Sequence, residues 1–153
     1  MQINNKMKNL NIYIGYDSKE DIAYRVCKYS LYKHSSTDIK IYSLKLQELV
    51  AKKFYSRTID PLASTEFTYS RFLVPALTNY KGWAIFCDCD FIFLDDIAKI
   101  TEKLDESKAV YCVKHDYTPK EKHKMDGQKQ SIYPRKNWSS FILFNCSHPK
   151  NKI

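Results

Sequence analysis

The sequence predicts an α/β fold, a sandwich in which helices cover a mostly parallel central sheet. Short apolar segments of strand length alternate with segments of helical apolar spacing along the 153 residues. One continuous apolar run, Trp83–Cys87, has the composition of a central strand covered on both faces. The hydrophobic fraction of 44% and the charged fraction of 27% are typical of a globular domain.

The first part of the chain predicts a strand, a helix and a second strand. Asn11–Tyr16 and Ile39–Tyr42 have strand character, and Ser18 and Asp21 have the spacing of a capping box at the start of the helix between them. This order predicts parallel strands joined by a right-handed crossover. The helix residues predicted to face the core are Ile22, Ala23, Val26, Cys27, Ser30 and Leu31.

Two helices are predicted between the second strand and the central strand. The first covers Leu44–Lys53, and Ser64 or Thr65 caps the second. Pro75 lies inside the second helix, so we expect a kink or an early stop there. The predicted buried face of this helix consists of Tyr69, Phe72, Leu73, Ala76 and Leu77.

Beyond the central strand, the sequence predicts one more helix and two more strands. Asp95 and Asp96 begin the helix, because acidic residues are favourable at a helix N-terminus. Ala109–Val113 and Ser139–Asn145 are the strands, and a long, polar and basic loop joins them. The inward residues of the helix are predicted to be Ile97, Ile100 and Leu104.

Glycine and cysteine usage excludes several classes of protein. Neither a GxGxxG turn nor a GxxxxGK loop can be built from Gly15, Gly82 and Gly127, so dinucleotide-binding and P-loop signatures are missing. Five cysteines without a CxxC pair predict buried thiols in a reducing compartment. The N-terminal residues have no apolar core of a signal peptide, and no apolar run approaches ~20 residues. These observations predict a cytoplasmic location.

The formal net charge of +8 has more than one interpretation. Lysines scattered along the chain first indicate a solvated surface, and they also attract anions such as nucleotides or acidic lipids. The 12 tyrosines and 8 phenylalanines keep a single-stranded nucleic-acid binder open as an alternative. No recognised nucleic-acid motif supports that alternative, so no nucleic-acid partner is expected.

The sharpest candidate site is Asp88-Cys89-Asp90, directly after the central strand. Ligands of open α/β sheets bind beyond the carboxyl ends of the strands. Two carboxylates spaced by two residues on an extended segment point to the same side and repel each other unless a cation lies between them. Mg²⁺ or Mn²⁺ suits such oxygen ligands and leaves positions for substrate phosphates. A turn-capping role is the alternative, although Asp95 and Asp96 already supply acids for the next helix.

These motifs resemble bacterial glycosyltransferases of the GT-A type, in particular family 8 and related lipopolysaccharide-type enzymes. The resemblance lies in Ile12–Val26, Asp60–Leu77, Gly82–Ile97 and Val113–Asn145. It implies a Rossmann-like GT-A fold in one domain, with a nucleotide-binding core over 10–113, a basic loop over 114–138 and a donor-site strand over 139–145. Family members continue further, so the resemblance also implies a chain truncated at its C-terminus.

The resemblance implies roles for particular residues around a nucleotide sugar. Asp88 and Asp90 bind Mn²⁺ or Mg²⁺, and Asp88 also contacts the ribose. Arg71 approaches the diphosphate or the donor sugar, and it is expected to be catalytic together with the two aspartates. The base and ribose are expected at Gly15, Tyr16, Asp17 and Lys19, and the donor sugar at Ser139 and Ser140.

The function implied is transfer of a sugar from a nucleotide diphosphate sugar, with UDP-sugar expected, to a glycan or glycolipid acceptor. This places the protein in lipopolysaccharide or cell-envelope polysaccharide synthesis at the inner face of a bacterial membrane, with a peripheral contact to anionic lipid. Three alternatives remain: an inactive, truncated remnant that binds nucleotide sugars, a sugar-nucleotide nucleotidyltransferase, and a nucleic-acid binder.

Overall fold

A five-stranded sheet organises the computed structural model, which describes residues 9–61, 63–115 and 136–152. The strand order is β2-β1-β3-β5-β4. Residues 116–135 of the predicted basic loop lie outside the described residues. The strands are β1 (Asn9–Gly15), β2 (Asp38–Leu44), β3 (Trp83–Cys87), β4 (Val110–His115) and β5 (Lys136–Asn145).

The sheet is mixed in its pairing. β1 pairs in parallel with both β2 and β3, which confirms the predicted parallel crossover through the first helix. β5 lies between β3 and β4 and is antiparallel to both. Four described strands therefore share one direction, but two of the four neighbouring pairs are antiparallel, which corrects the expectation of a mostly parallel sheet. Buried strands of either orientation have the same apolar composition, so the sequence does not reveal their direction.

Three α-helices and four 3₁₀ segments accompany the sheet in the described part of the chain. Pro75 lies in the first turn of the shortest α-helix, where its missing N–H has no partner to lose. The proline thus starts a helix, whereas the sequence predicted a kink or a stop. The α-helices are α1 (Asp21–His34), α2 (Leu46–Ala51) and α3 (Val74–Leu77), and the 3₁₀ segments are Ser18–Glu20, Ser70–Leu73, Ile97–Lys103 and Pro149–Asn151.

Helix α1 buries a narrower face than predicted. Cys27, Ser30 and Leu31 are buried, but Ile22 is 80% exposed and Val26 is 43% exposed. At 3.6 residues per turn, the predicted set spans roughly 180° of the helix, which is more than one flat sheet can cover. Only about half of this arc is buried, and Cys27 lies at the centre of the buried half.

The buried faces of the other helical segments also differ from the predictions. Phe72 is exposed, whereas its neighbours Ser70 and Arg71 are buried. Ile100 is likewise exposed, although Ile97 is buried as expected. Both differences arise in 3₁₀ segments, which have three residues per turn and therefore rotate side chains away from the positions expected of an α-helix.

The cap predicted for α1 is replaced by a 3₁₀ turn. Asp17 accepts a hydrogen bond from the Lys19 backbone N–H at 3.0 Å and caps the turn Ser18–Glu20. The Ser18 backbone N–H donates to Glu66 at 3.1 Å, so Ser18 is not the cap of a box with Asp21. In contrast, Asp96 accepts from the Ala98 N–H at 3.0 Å, which confirms that an acid begins the helical segment after β3.

The end of β1 requires a residue without a side chain. A Cβ placed on Gly15 would lie 2.5 Å from ring atoms of Phe67, which is buried in the core. Real carbon atoms do not approach this closely, so glycine permits Phe67 to cover the carboxyl end of β1. None of the described helices is long and apolar enough to cross a membrane.

We predict that Gly15→Ala lowers the free energy of unfolding by about 1–3 kcal/mol, because the new methyl group overpacks against Phe67. Urea denaturation measures this loss. Removing the ring in Gly15→Ala with Phe67→Ala should eliminate the extra cost relative to Phe67→Ala alone. Gly82→Ala is the control, since Gly82 has φ +67° and nothing lies within 4 Å of the position that its Cβ would take. The free energy of unfolding that Gly82→Ala costs should be the same with and without the Phe67 ring.

Candidate functional site

The carboxyl ends of β1 and β3 lie side by side because the two strands are parallel neighbours. Asp17 follows β1, and Asp88 follows β3. β5 reaches the same edge, where the Asp88 backbone N–H donates to the Ser140 carbonyl at 2.8 Å. The sheet therefore brings several predicted site residues to one edge, as expected for an open α/β fold.

Arg71 is buried at this edge and joins three segments of the chain. Its Nη1 lies 3.0 Å from Asp88 Oδ1 and donates to the Ser139 carbonyl at 2.7 Å. Its Nε donates to the Thr68 carbonyl at 3.2 Å. Arg71 thus forms an ion pair with the first aspartate of the motif, a contact that the sequence did not predict. Its predicted contact with a ligand stays a prediction.

The surroundings of Arg71 are partly aromatic. The guanidinium carbon lies 5.0 Å from the ring centroid of Phe86 and 5.3 Å from that of Phe67. Burial lowers the pKa of Arg71, and the Asp88 carboxylate opposes that shift. Arginine remains charged even so, because its ordinary pKa is far above neutral. The Arg71 guanidinium therefore supplies a fixed positive charge near the end of β3.

Asp88 is a carboxylate in an unfavourable environment. Its pKa is raised to about 7, chiefly by burial, which the Arg71 charge opposes and the charges of Asp90 and Glu20 reinforce. The Arg71 contact is close but not aligned as a hydrogen bond, and Asp88 Oδ1 is buried without a hydrogen-bond partner. Such an atom is receptive to a donor or a cation.

The Asp88-Cys89-Asp90 turn offers two carboxylates to a cation. Asp90 is exposed, whereas Cys89 is fully buried between the two acids. Within the described ranges, no three His, Cys, Asp or Glu side chains are grouped so that they could hold a metal ion. Binding of Mg²⁺ or Mn²⁺ by Asp88 and Asp90 stays a prediction.

The predicted base and ribose residues have structural partners within the chain. Asp17 is buried and accepts hydrogen bonds from the backbone N–H groups of Lys19 and, at 3.2 Å, Glu66. The Tyr16 hydroxyl donates to Asp21 at 3.1 Å, which raises the pKa of Tyr16. Together with the packing of Gly15, these contacts fix the loop after β1. A contact with nucleotide at these positions stays a prediction.

A cavity of about 140 Å³ lies beside this loop. Sequence reasoning placed Asp17 and Lys19 near a ligand, and both line the cavity, but it did not identify the rest of the wall. The Tyr69 hydroxyl donates to Asp60 at 3.0 Å, and the Arg57 guanidinium lies 4.1 Å from the centroid of the Tyr69 ring. The wall also contains Leu46, Tyr55, Ile59, Asp60, Ala63, Ser64, Thr65, Glu66 and Tyr69.

Ser139 and Ser140 contribute backbone oxygens to the site. The Ser139 carbonyl accepts from Arg71, and the Ser140 carbonyl accepts from the Asp88 backbone N–H. The Ser139 hydroxyl lies 3.4 Å from Arg71 Nη1. A side-chain role of these serines toward a sugar stays a prediction. Their backbone role could not be predicted from the sequence, because any residue type has a carbonyl.

Comparisons with known proteins agree with this architecture. The apo structure of the bifunctional glycosyltransferase WbbM matches with a TM-score of 0.58 and 16% identity, over 92% of this chain and 32% of that one. The glycosyltransferase GlyE of Streptococcus pneumoniae TIGR4 matches with a TM-score of 0.52 and 15% identity, over 89% and 34% of the two chains. The chain has a glycosyltransferase-like fold.

A sequence relative is found among plant proteins. Protein CDI of Arabidopsis thaliana is 52% identical over 145 residues, which are 95% of this chain and 56% of the plant protein. The chain thus spans little more than half the length of that relative. No protein-family model matches the chain. Bacterial origin and membership of family 8 stay predictions.

We predict that Arg71→Met strongly destabilises the fold at pH 8, by about 3–5 kcal/mol, because the Asp88 carboxylate is left buried without a counter-charge. Combining Arg71→Met with Asp88→Asn should recover a large part of this loss. Urea denaturation of the single and double variants measures the coupling. Fully additive effects of the two substitutions would contradict the ion pair.

A second prediction concerns the pH dependence of stability. Because the folded state raises the pKa of Asp88 above its ordinary value of 3.8 to about 7, the folded protein binds this proton more tightly than the unfolded chain. The stabilisation of the folded state by this proton on Asp88 is complete below pH 4 and is lost as the pH rises to 7. Asp88→Asn should remove this fall in the free energy of unfolding between pH 4 and 7, whereas the exposed control Glu102→Gln should retain it.

Proposed function

We propose that this protein is a metal-dependent glycosyltransferase, which transfers a sugar from a nucleoside diphosphate sugar to a glycan or glycolipid acceptor. The observation that carries the proposal is the arrangement of Asp88, Asp90 and the buried Arg71 at the carboxyl edge of the sheet. The chain's glycosyltransferase-like fold supports it. A peripheral contact with anionic lipid would suit a glycolipid acceptor and the net charge of +8.

The chemistry of the turn fits a hard divalent cation. Asp88 and Asp90 would hold Mn²⁺ or Mg²⁺, because carboxylate oxygens are ligands that suit these ions. Asp88 Oδ1 lies 3.0 Å from Arg71 Nη1 without an aligned hydrogen bond, so it retains the capacity to accept a further contact. When bound, the ion would neutralise negative charge on the departing nucleoside diphosphate. Binding at Asp88 would compete with the proton that its environment favours, so the carboxylate is most available above pH 7.

Arg71 would act on the diphosphate through a fixed charge. Its hydrogen bonds to the Thr68 and Ser139 carbonyls hold the guanidinium in place, so little reorganisation is needed when negative charge develops nearby. The Asp88 carboxylate lies 3.0 Å from the same guanidinium and offsets part of its charge. Arg71 therefore supplies electrostatic stabilisation, and Ser139 and Ser140 define the sugar side of the same edge.

The cavity beside the loop after β1 would take the nucleoside part of the donor. It adjoins Asp17 and Lys19, and the Tyr69 side chain in its wall is held by Asp60 and covered by Arg57. Polar groups and an aromatic side chain suit a base with a ribose attached. We propose a uridine nucleotide as the first ligand to test.

The test is calorimetric binding of UDP in the presence of Mn²⁺. We predict that Asp90→Asn weakens Mn²⁺-dependent binding at least tenfold, because one of the two carboxylates that face the cation loses its charge. Asp38→Asn is the matched control, since Asp38 is exposed at the start of β2, at the opposite end of the sheet.

Equal binding by Asp90→Asn and the wild type would contradict the metal role. A panel of nucleotide sugars with Mn²⁺ then tests transfer or hydrolysis. Binding without turnover would instead favour the nucleotide-sugar-binding alternative.

A further inference from the structure

One side-chain contact joins the loop after β1 to the turn that carries the two aspartates. The Cys89 thiol donates to Glu20 Oε2, with a sulfur to oxygen distance of 2.9 Å. Glu20 is the last residue of the 3₁₀ turn after β1, and Cys89 lies between Asp88 and Asp90. The two residues are 69 positions apart in the sequence, so this contact depends on the packing of β1 against β3.

The Glu20 carboxylate lies near the turn that carries the two aspartates. Its negative charge faces the turn and is one of the charges that raise the pKa of Asp88. A thiol is ordinarily a weak donor, but a charged acceptor strengthens the hydrogen bond. The negative charge of Glu20 therefore strengthens the hydrogen bond that the Cys89 thiol donates.

Other contacts restrain both Cys89 and the turn that carries Glu20. Cys89 is fully buried, so its thiol has little freedom to turn away. The 3₁₀ turn that carries Glu20 is capped by Asp17, and the backbone N–H of its first residue, Ser18, donates to Glu66. Because both segments are restrained, the hydrogen bond between Glu20 and Cys89 limits how far one turn can move relative to the other.

We propose that Glu20 is a positioning residue that, through the Cys89 thiol, fixes the turn carrying Asp88 and Asp90 relative to the loop after β1. The consequence for ligand binding rests on the proposed function, because it concerns the geometry of the two carboxylates toward a cation. The role does not require Glu20 to touch metal or substrate.

Hydrogen exchange followed by mass spectrometry tests the link without any ligand. Glu20→Ala should raise the exchange rate of peptides covering residues 86–92 at least fivefold, while peptides from β1 report global opening. Cys89→Ala should give a similar increase, and the double variant should show no further increase, because both substitutions remove one contact. Glu20→Gln keeps an acceptor oxygen but loses the charge, so its increase should be smaller than that of Glu20→Ala.

Exposed Glu102→Ala is the matched control. Cys89→Ser retains a donor, so its exchange should stay closer to the wild type than that of Cys89→Ala. Exchange in Glu20→Ala equal to that of the wild type would overturn the proposal. Independent, multiplicative effects of Glu20→Ala and Cys89→Ala would overturn it as well.

Binding of UDP with Mn²⁺ supplies the functional readout. Glu20→Ala should weaken this binding at least fivefold, and Glu20→Gln should restore most of the loss. Increased exchange with unchanged affinity would overturn the positioning role. If the wild type does not bind UDP with Mn²⁺, the proposed function fails, and the exchange data alone decide whether Glu20 fixes the turn.

Discussion

The buried contact between Arg71 and Asp88 is the interaction on which the site depends. Arg71 also donates to the Ser139 carbonyl, so one guanidinium joins the 3₁₀ segment before α3, the end of β3 and the strand β5. Separating a buried charge from its partner is costly, which keeps these three segments together. The contact leaves Asp88 Oδ1 without an aligned hydrogen bond, so this oxygen retains the capacity to accept one.

Several residues at this edge serve the fold first. Gly15 makes room for Phe67, Asp17 caps a 3₁₀ turn and accepts from Glu66, and the Ser139 and Ser140 carbonyls hold Arg71 and the Asp88 backbone. These contacts restrain the loop after β1, the turn after β3 and the adjoining part of β5. A site built in this way is preorganised, because its polar groups are fixed before a ligand arrives.

Much of the local structure could be predicted from the sequence. The strand β3, the two carboxylates after it, the parallel β1–β2 pair and the acid that begins the segment at Ile97 all follow from composition and spacing. The helix faces at Ile22 and Phe72 were predicted incorrectly. Apolar spacing identifies every residue able to face a core, but the neighbouring sheet and the local helix type decide which of them does.

The sequence by itself determined which chemistry is available: two carboxylates two positions apart at the end of a buried strand, and an arginine on another segment. Tertiary structure decided how those groups meet. It inserted β5 antiparallel beside β3, buried Arg71 against Asp88 and brought Glu20 to Cys89. The physical reason is that composition and spacing report interactions between near neighbours, whereas each of these contacts joins residues far apart in the chain and exists only once the sheet is assembled.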